Sequence, residues 1–160
     1  MVKNFNKNLI INFLIILCIF AIDRISKIYV IFKNEKSLST ELFESKYLNI
    51  NLIWNEGIAF GLLSFDEKLY YNLLTSLICL ITLILLWMII RTKGIEKLAF
   101  LMIFGGSLGN IFDRLYYSSV PDFIDIHFSN FHWFIFNVAD IFISLGVILL
   151  VYLEIFKKKI

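Results

Sequence analysis

The sequence predicts an all-α membrane protein: a bundle of four transmembrane helices with a small extracytoplasmic β-rich platform in the first outer loop. Two observations support this fold class. Hydrophobic residues make up 59% of the 160 residues and 17 residues are Phe, well above the usual share in a soluble domain. The apolar residues also gather into four stretches, each close to the roughly 20 residues that a helix needs to cross a bilayer. A chain of this length fits a single integral membrane domain over 1–160.

The apolar stretches place the spans and the loops between them. The predicted spans are residues 9–32, 69–90, 95–117 and 134–156, and the predicted outer loops are 33–68 and 118–133. No proline interrupts a span, because the only proline, Pro121, lies in a connector. The second span carries no charged residue, whereas the other three carry charges within the apolar run.

Lysine and arginine residues predict the orientation of the bundle, because cytoplasmic loops are enriched in both. One side carries Lys3, Lys7, Arg91, Lys93, Lys97 and the lysines at 157–159, and the other carries Lys33, Lys36, Lys46 and Lys68. The last connector carries no lysine or arginine. We therefore expect both termini and the 91–97 loop to be cytoplasmic, and the two longer connectors to face outward.

The first outer loop has a strand pattern. Residues 47–54 alternate in part between apolar and polar side chains, as a half-buried strand does. The segment 55–61 then brings Gly57 and Gly61, which are typical of a bend. This loop accounts for the predicted platform on the membrane surface.

Ionisable residues inside the spans are the main functional signal, because each costs at least about 2.5 kcal/mol on insertion scales and usually has a partner or a function. Asp23 lies late in the first span, Asp113 late in the third and Asp140 early in the fourth. Helix rise places all three in the outer half of the bilayer. Depth alone favours Asp113 with Asp140 as an interacting pair, and Lys27 lies at i, i+4 from Asp23, where it could form a structural ion pair.

Asparagines accompany two of these acids. Asn110 precedes Asp113 by three residues and Asn137 precedes Asp140 by three, so each pair shares a helix face. An asparagine can donate to a carboxylate and accept from a peptide amide. The glycines at 105 and 109 have GxxxG spacing, which would let the third helix approach a neighbour closely.

Two adjacent carboxylates can share one proton, activate water and protonate a carbonyl oxygen, as aspartic proteases do. This chemistry needs no cofactor. No metal is expected either, since His127 and His132 lie in a connector at the wrong spacing for a helical site. A proton- or ion-coupled carrier is the alternative, and a non-catalytic scaffold is a third reading. The net charge of +2 without a basic stripe argues against nucleic acid as a partner.

Five motifs, in order along the chain, resemble the lipoprotein signal peptidase (signal peptidase II) family. They are DRISK at 23–27, NEGIAFG at 55–61, GGSLGNIFDR at 105–114, VPDFI at 120–124 and FNVAD at 136–140. The resemblance implies an aspartic endopeptidase that removes signal peptides from diacylglyceryl-modified prolipoproteins, cutting before the lipidated cysteine. It also implies that the catalytic pair is Asp122 with Asp140, in place of the pairing that depth alone favoured.

The resemblance implies further roles and partners. The residues expected to line and support the site are Asp23, Lys27, Asn55, Gly57, Asn110, Asp113, Arg114 and Asn137. Among these, Asp113 would brace Arg114 or the helix end, and the segment 54–61 would act as a lid. The implied partners are diacylglyceryl-prolipoproteins, membrane lipid and inhibitors of the globomycin type. The implied location is the bacterial cytoplasmic (inner) membrane, as a multi-pass protein with its active site toward the outer face.

Overall fold

The computed structural model describes residues 2–36, 41–57, 67–129 and 131–157. Within these residues the chain forms four helices: α1 (Val2–Lys36), α2 (Glu67–Arg91), α3 (Gly94–Tyr117) and α4 (Val138–Lys157). Each is long and apolar enough to cross a membrane, over Asn8–Lys36, Lys68–Arg91, Gly94–Tyr117 and Val138–Phe156. The predicted set of spans is therefore confirmed, with α1 extending further at both ends than the apolar run alone indicated.

Helix α3 is the central element, because it packs against each of the other three described helices. Its buried face contains Leu101 and Ile103, which form a core with Leu85 and Ile89 of α2. The outward faces of the helices expose large apolar side chains, such as Leu115 and Ile148. Exposure of so much apolar surface to water would be unfavourable, so the pattern fits a bundle that is surrounded by lipid.

Helix α4 begins later than predicted, at Val138 where the apolar run begins at Phe134. The residues before it are extended and bond to a strand in the same connector. The amide of Phe136 donates to the carbonyl of Ile124 (3.1 Å), and the amide of Ile124 donates to the carbonyl of Phe136 (2.8 Å). Hydropathy could not separate residues 134–136 from the helix, because they are as apolar as the helix that follows them.

Strands from the α1–α2 connector and the α3–α4 connector form one antiparallel sheet. The strands are β1 (Glu41–Glu44), β2 (Leu48–Asn55), β3 (Val120–Phe128) and β4 (Phe131–His132), in the order β1-β2-β3-β4. The β2–β3 register pairs Asn55 with Val120 and Leu48 with Ile126. The predicted β-rich platform is confirmed, but placing it in the first loop alone was incomplete: β3 and β4 come from the second connector.

Two glycines allow the close helix approaches that build the site. A Cβ added at Gly106 would lie 2.5 Å from the carbonyl oxygen of Ala139, so α4 packs directly on the α3 backbone there. A Cβ added at Gly109 would lie 2.5 Å from Oδ2 of Asp23. Small residues are typical of such contacts between membrane helices. Gly109 thus leaves the space that the carboxylate of Asp23 occupies.

Candidate active site

Asp122 lies near the start of β3, where the sheet meets the end of α3. Its side chain is 4% exposed. Asn55, from β2, donates through Nδ2 to Oδ2 of Asp122 (2.8 Å). Asn137, just before α4, donates through Nδ2 to Oδ1 (2.6 Å). Each carboxylate oxygen therefore receives a side-chain amide donor from a different part of the chain.

Asp140 lies in the first turn of α4 and is held in a matching way. Asn110 of α3 donates through Nδ2 to Oδ1 of Asp140 (2.8 Å). The backbone amide of Asn137 donates to Oδ2 (3.1 Å), and the backbone amide of Asp140 donates in return to Oδ1 of Asn137 (3.2 Å). This reciprocal pair is a capping arrangement at the N-terminus of α4, and it fixes the rotamer of the Asp140 carboxylate.

Asn137 joins the two carboxylates. It is fully buried, and it contacts Asp122 through its side chain and Asp140 through its backbone amide. Its Nδ2 also donates to Oδ1 of Asn110 (3.2 Å). The two acids named by the resemblance are thus brought together at the junction of β3, α3 and α4, with one asparagine hydrogen-bonded to both.

Burial changes the protonation of Asp122. It raises the pKa of the Asp122 carboxyl to about 6, against the hydrogen bonds from Asn55 and Asn137, which lower it; the charge of Asp140 raises it further. Desolvation disfavours the charged form of an acid, and a neighbouring like charge does the same. A carboxyl with this pKa can hold or release a proton near neutral pH, as a general acid or base must.

A second group of charges lies beside this pair and is more fully buried. Lys27 Nζ contacts Asp23 (2.9 Å) and Asp113 (2.6 Å), and all three side chains are fully buried. Arg24 contacts the same two acids, at 2.9 Å to Asp23 and 2.6 Å to Asp113. Two acids and two bases make this group neutral, so its burial leaves no uncompensated charge.

The second group also positions the first. Lys27 Nζ donates to Oδ1 of Asn110 (3.0 Å), and the same asparagine donates to Asp140. Oδ1 of Asp23 accepts from the backbone amide of Ala139 (3.0 Å), one of the first-turn amides of α4 that has no partner within the helix. A carboxylate at a helix N-terminus is favourable, so α1 holds the end of α4 that carries Asp140.

The roles expected for Asp113 need correction. Its ion pairs are with Arg24 and Lys27, whereas it was expected to brace Arg114 or the helix end. The pairing of Asp113 with Asp140, which depth alone favoured, is not among the contacts of the described residues. Asp113 forms ion pairs with Arg24 and Lys27, whereas Asp140 accepts from Asn110 and Asn137. The ion pair of Asp23 with Lys27, which the sequence left open, is present.

Arg114 lies near the end of α3, against the connector between α1 and α2. Its guanidinium is near Gly57, where an added Cβ would meet Nη1 at 2.8 Å, and it lies over the ring of Tyr71 at 5.6 Å. Gly57 has φ +79, a conformation that favours glycine, and its amide donates to Oδ1 of Asn55 (2.7 Å). A cavity of about 500 Å³, lined mostly by polar residue types, adjoins Arg114 and Tyr71. The rest of the predicted lid, 58–61, lies outside the described residues.

An apolar cavity of about 560 Å³ opens beside Asp140. Its walls come from the second connector and from α4, and include Phe128, Trp133, Phe136 and Ile141. The cavity therefore offers room for an apolar group next to one of the two carboxylates.

Sequence reasoning missed Arg24, which completes the buried ion group. An arginine within an apolar span was itself a signal, because such a residue needs a partner in the membrane. Its partners lie on α1 and α3, however, and the spacing within one helix could not identify Asp113.

The comparison with protein families decides the identity of the fold. The sequence model described as "Signal peptidase (SPase) II" matches residues 15–156, nearly the whole chain. The chain belongs to the signal peptidase II family. Membership makes it a bacterial membrane protease that processes the signal peptides of lipoproteins, and the resemblance read from the sequence is confirmed.

Curated relatives agree with the family. The chain is 47% identical over 150 residues to the lipoprotein signal peptidase of Pelagibacter ubique (strain HTCC1062), covering 94% of this chain and 90% of the relative. It is 35% identical over 151 residues to the lipoprotein signal peptidase of Anaplasma marginale (strain Florida), covering 93% and 86%. Both matches extend over most of this chain and most of the relative.

Solved structures share the same architecture. One bacterial membrane enzyme, determined by the in meso method at 1.9 Å resolution, superposes with a TM-score of 0.72 at 29% identity, covering 88% of this chain and 90% of that one. A second, at 2.3 Å resolution, superposes with a TM-score of 0.68 at 28% identity, covering 90% and 87%. The four-helix arrangement and its sheet are thus those of known bacterial membrane enzymes.

Proposed function

We propose that this signal peptidase II is an intramembrane aspartic endopeptidase whose catalytic pair is Asp122 and Asp140. The observation that supports the proposal is Asn137, which donates to Asp122 from its side chain and to Asp140 from its backbone amide. This residue links a carboxylate on a strand to a carboxylate on a helix. Asn55 and Asn110 each donate to the carboxylate oxygen that Asn137 does not contact. Both oxygens of each carboxylate are therefore hydrogen-bonded, which fixes the orientation of the two side chains.

The pair is suited to hydrolysis by sharing one proton. Two neighbouring carboxyl groups do not both ionise easily, so the pair can hold one proton between them. The ionised member takes a proton from water as the water oxygen attacks the scissile carbonyl carbon, and the protonated member gives its proton to the carbonyl oxygen. Collapse of the tetrahedral intermediate breaks the C–N bond, and the leaving amine takes a proton from the dyad.

The surroundings of Asp140 support a lipid-modified substrate. The apolar cavity of about 560 Å³ beside it suits the diacylglyceryl chains or the apolar signal sequence of a prolipoprotein. The polar side chains of Asn55 and Arg114, near the outer loop, suit the peptide backbone. The cut would fall before the lipidated cysteine, and globomycin-type peptides would occupy the same groove.

The distribution of lysine and arginine supports the proposed orientation of the protein in the membrane. With both termini cytoplasmic, the β2–β3 sheet and the dyad lie at the outer face of the bacterial inner membrane. A substrate arrives there from the lipid, while water enters from outside.

The test is cleavage of a purified diacylglyceryl-prolipoprotein in detergent, with the products measured by mass. We expect Asp122→Asn and Asp140→Asn each to lower the rate by at least about 100-fold, the lower end of what general acid–base catalysis contributes. Both variants should still insert and remain folded at the assay temperature. Glu154→Gln, which removes an acid at the far end of α4, is the matched control and should retain the wild-type rate.

Full activity in either aspartate variant would exclude the dyad. A product cut elsewhere than before the lipidated cysteine would exclude the proposed specificity and leave the dyad standing. A carrier, by contrast, would move protons or ions across liposomes without producing a cleaved peptide.

A further inference from the structure

The β3–β4 ladder brings three metal-binding side chains together outside the catalytic pair. Asp125 and His127 are two residues apart in β3, so both project from the same face of the strand. His132 of β4 is the direct cross-strand partner of His127. One ligand atom from each of the three residues lies within 4.8 Å of the others. The spacing is that of a strand and its neighbour, which a search for helical spacing does not detect.

Two polar atoms in this cluster are buried without a partner among the described residues. They are Oδ1 of Asp125 and Nδ1 of His127. Asp125 is 4% exposed, so its carboxylate has lost nearly all contact with water. Leaving such a group without a hydrogen bond costs about 1–3 kcal/mol, and a bound cation would satisfy both atoms at once. Oδ2 of Asp125 contacts Nδ1 of His132 at 2.9 Å, which orients that ring.

From this geometry we propose that Asp125, His127 and His132 bind a divalent transition-metal cation, with Zn²⁺ as the best match. Two imidazoles and one carboxylate suit Zn²⁺, whereas Mg²⁺ and Ca²⁺ prefer oxygen ligands only. The side chain of His132 is 52% exposed, so the site is open on one side, and water can complete a tetrahedral shell there.

The position of the site indicates what the cation does. His127 also lines the apolar cavity beside Asp140. A cation held by both strands would tie β4 to β3 and fix that wall of the cavity. The role is structural, and it is separate from the dyad, since none of the three ligands hydrogen-bonds to Asp122 or Asp140 within the described residues.

The binding experiment uses full-length protein in detergent, purified without a histidine tag and treated with a chelator. Zn²⁺ is titrated by calorimetry, and Co²⁺ is added separately because its visible absorption reports nitrogen ligation and tetrahedral geometry. We expect one ion per chain, a tetrahedral Co²⁺ spectrum and a higher thermal unfolding midpoint with Zn²⁺. His127→Ala and His132→Ala should each weaken binding by roughly 10-fold or more, as the loss of even an outer-sphere partner does.

Phe131→Ala is the matched control, because Phe131 is an exposed β4 residue next to His132 and offers no ligand atom. It should bind Zn²⁺ as the wild type does. His132→Ala keeps the proposal falsifiable if His127→Ala does not fold, since His132 is half exposed. The proposal is overturned by any of three results: no saturable binding to the wild type, equal affinity in wild type and His132→Ala, or equal loss in Phe131→Ala.

Discussion

Lys27→Met tests the buried ion group that supports the active site. Lys27 is fully buried, and its Nζ contacts Asp23 (2.9 Å), Asp113 (2.6 Å) and Asn110 (3.0 Å). Methionine keeps much of the length and apolar volume of lysine, so the main change is loss of the charge and its donors. The group then holds two carboxylates and one guanidinium, which is a net charge of −1 in a buried site.

Removing one partner from a buried ion pair costs about 3–5 kcal/mol, because the remaining charge is left without compensation. We expect Lys27→Met to lower the free energy of unfolding by about this amount. Adding Asp113→Asn returns the group to neutrality, so the double variant should recover roughly 1–3 kcal/mol relative to the sum of the single variants.

The assay is equilibrium unfolding in mixed detergent micelles with increasing SDS, followed by tryptophan fluorescence. Lys33→Met is the matched control, because Lys33 lies on the same helix and is exposed; its loss should cost less than about 1 kcal/mol. If Lys27→Met and Lys33→Met were equally stable, or if the double variant showed no recovery, the buried ion group would not be a source of stability.

Two further predictions concern the dyad and the helix contact beside it. The pKa of Asp122, raised by burial to about 6 from the ordinary 3.8, means that the folded protein binds more protons between these pH values. Its contribution to stability is therefore complete below about pH 4 and falls by roughly 3 kcal/mol as pH rises through about 6. The measurement is the free energy of unfolding of wild type and Asp122→Asn between pH 4 and 7. A difference between the two proteins that stays constant with pH would contradict the prediction. Gly109→Ala places a Cβ 2.5 Å from Oδ2 of Asp23 and should cost about 1–3 kcal/mol, while Leu115→Ala on the exposed face of α3 should cost less; equal effects in SDS unfolding would show that the close approach does not matter.

The transmembrane helices were predictable from sequence because lipid imposes a simple rule on length and composition. A span of about 20 apolar residues is visible without knowledge of its neighbours. The start of α4 was not, since Phe134 and Phe136 are as apolar as the helix that follows them. Their extended conformation depends on hydrogen bonds to Ile124 in β3, a contact that hydropathy does not report.

The candidate site was predictable in its residue types and only partly in its connections. Depth along the helices indicated that Asp23, Asp113 and Asp140 meet, but three acids at one depth allow several pairings. The choice depends on where the cations lie, and Arg24 with Lys27 places Asp113 in the ion group. Asp122 lies outside the helices, so no depth argument could include it, and only the family motif pointed to it.

The pairing of β2 with β3 has a consequence for biosynthesis. β2 precedes α2 and β3 follows α3, so residues such as Leu48 and Ile126 are neighbours in space but far apart in the chain. Asn55 can therefore reach Asp122 only after α2 and α3 have both crossed the bilayer, and Asp140 joins them last, with α4. A chain that ends before Asn137 lacks Asp140, and it also lacks Asn137 itself, which donates to Asp122. On the proposed mechanism, therefore, the protein would gain the ability to cut other proteins only when its own insertion is finished.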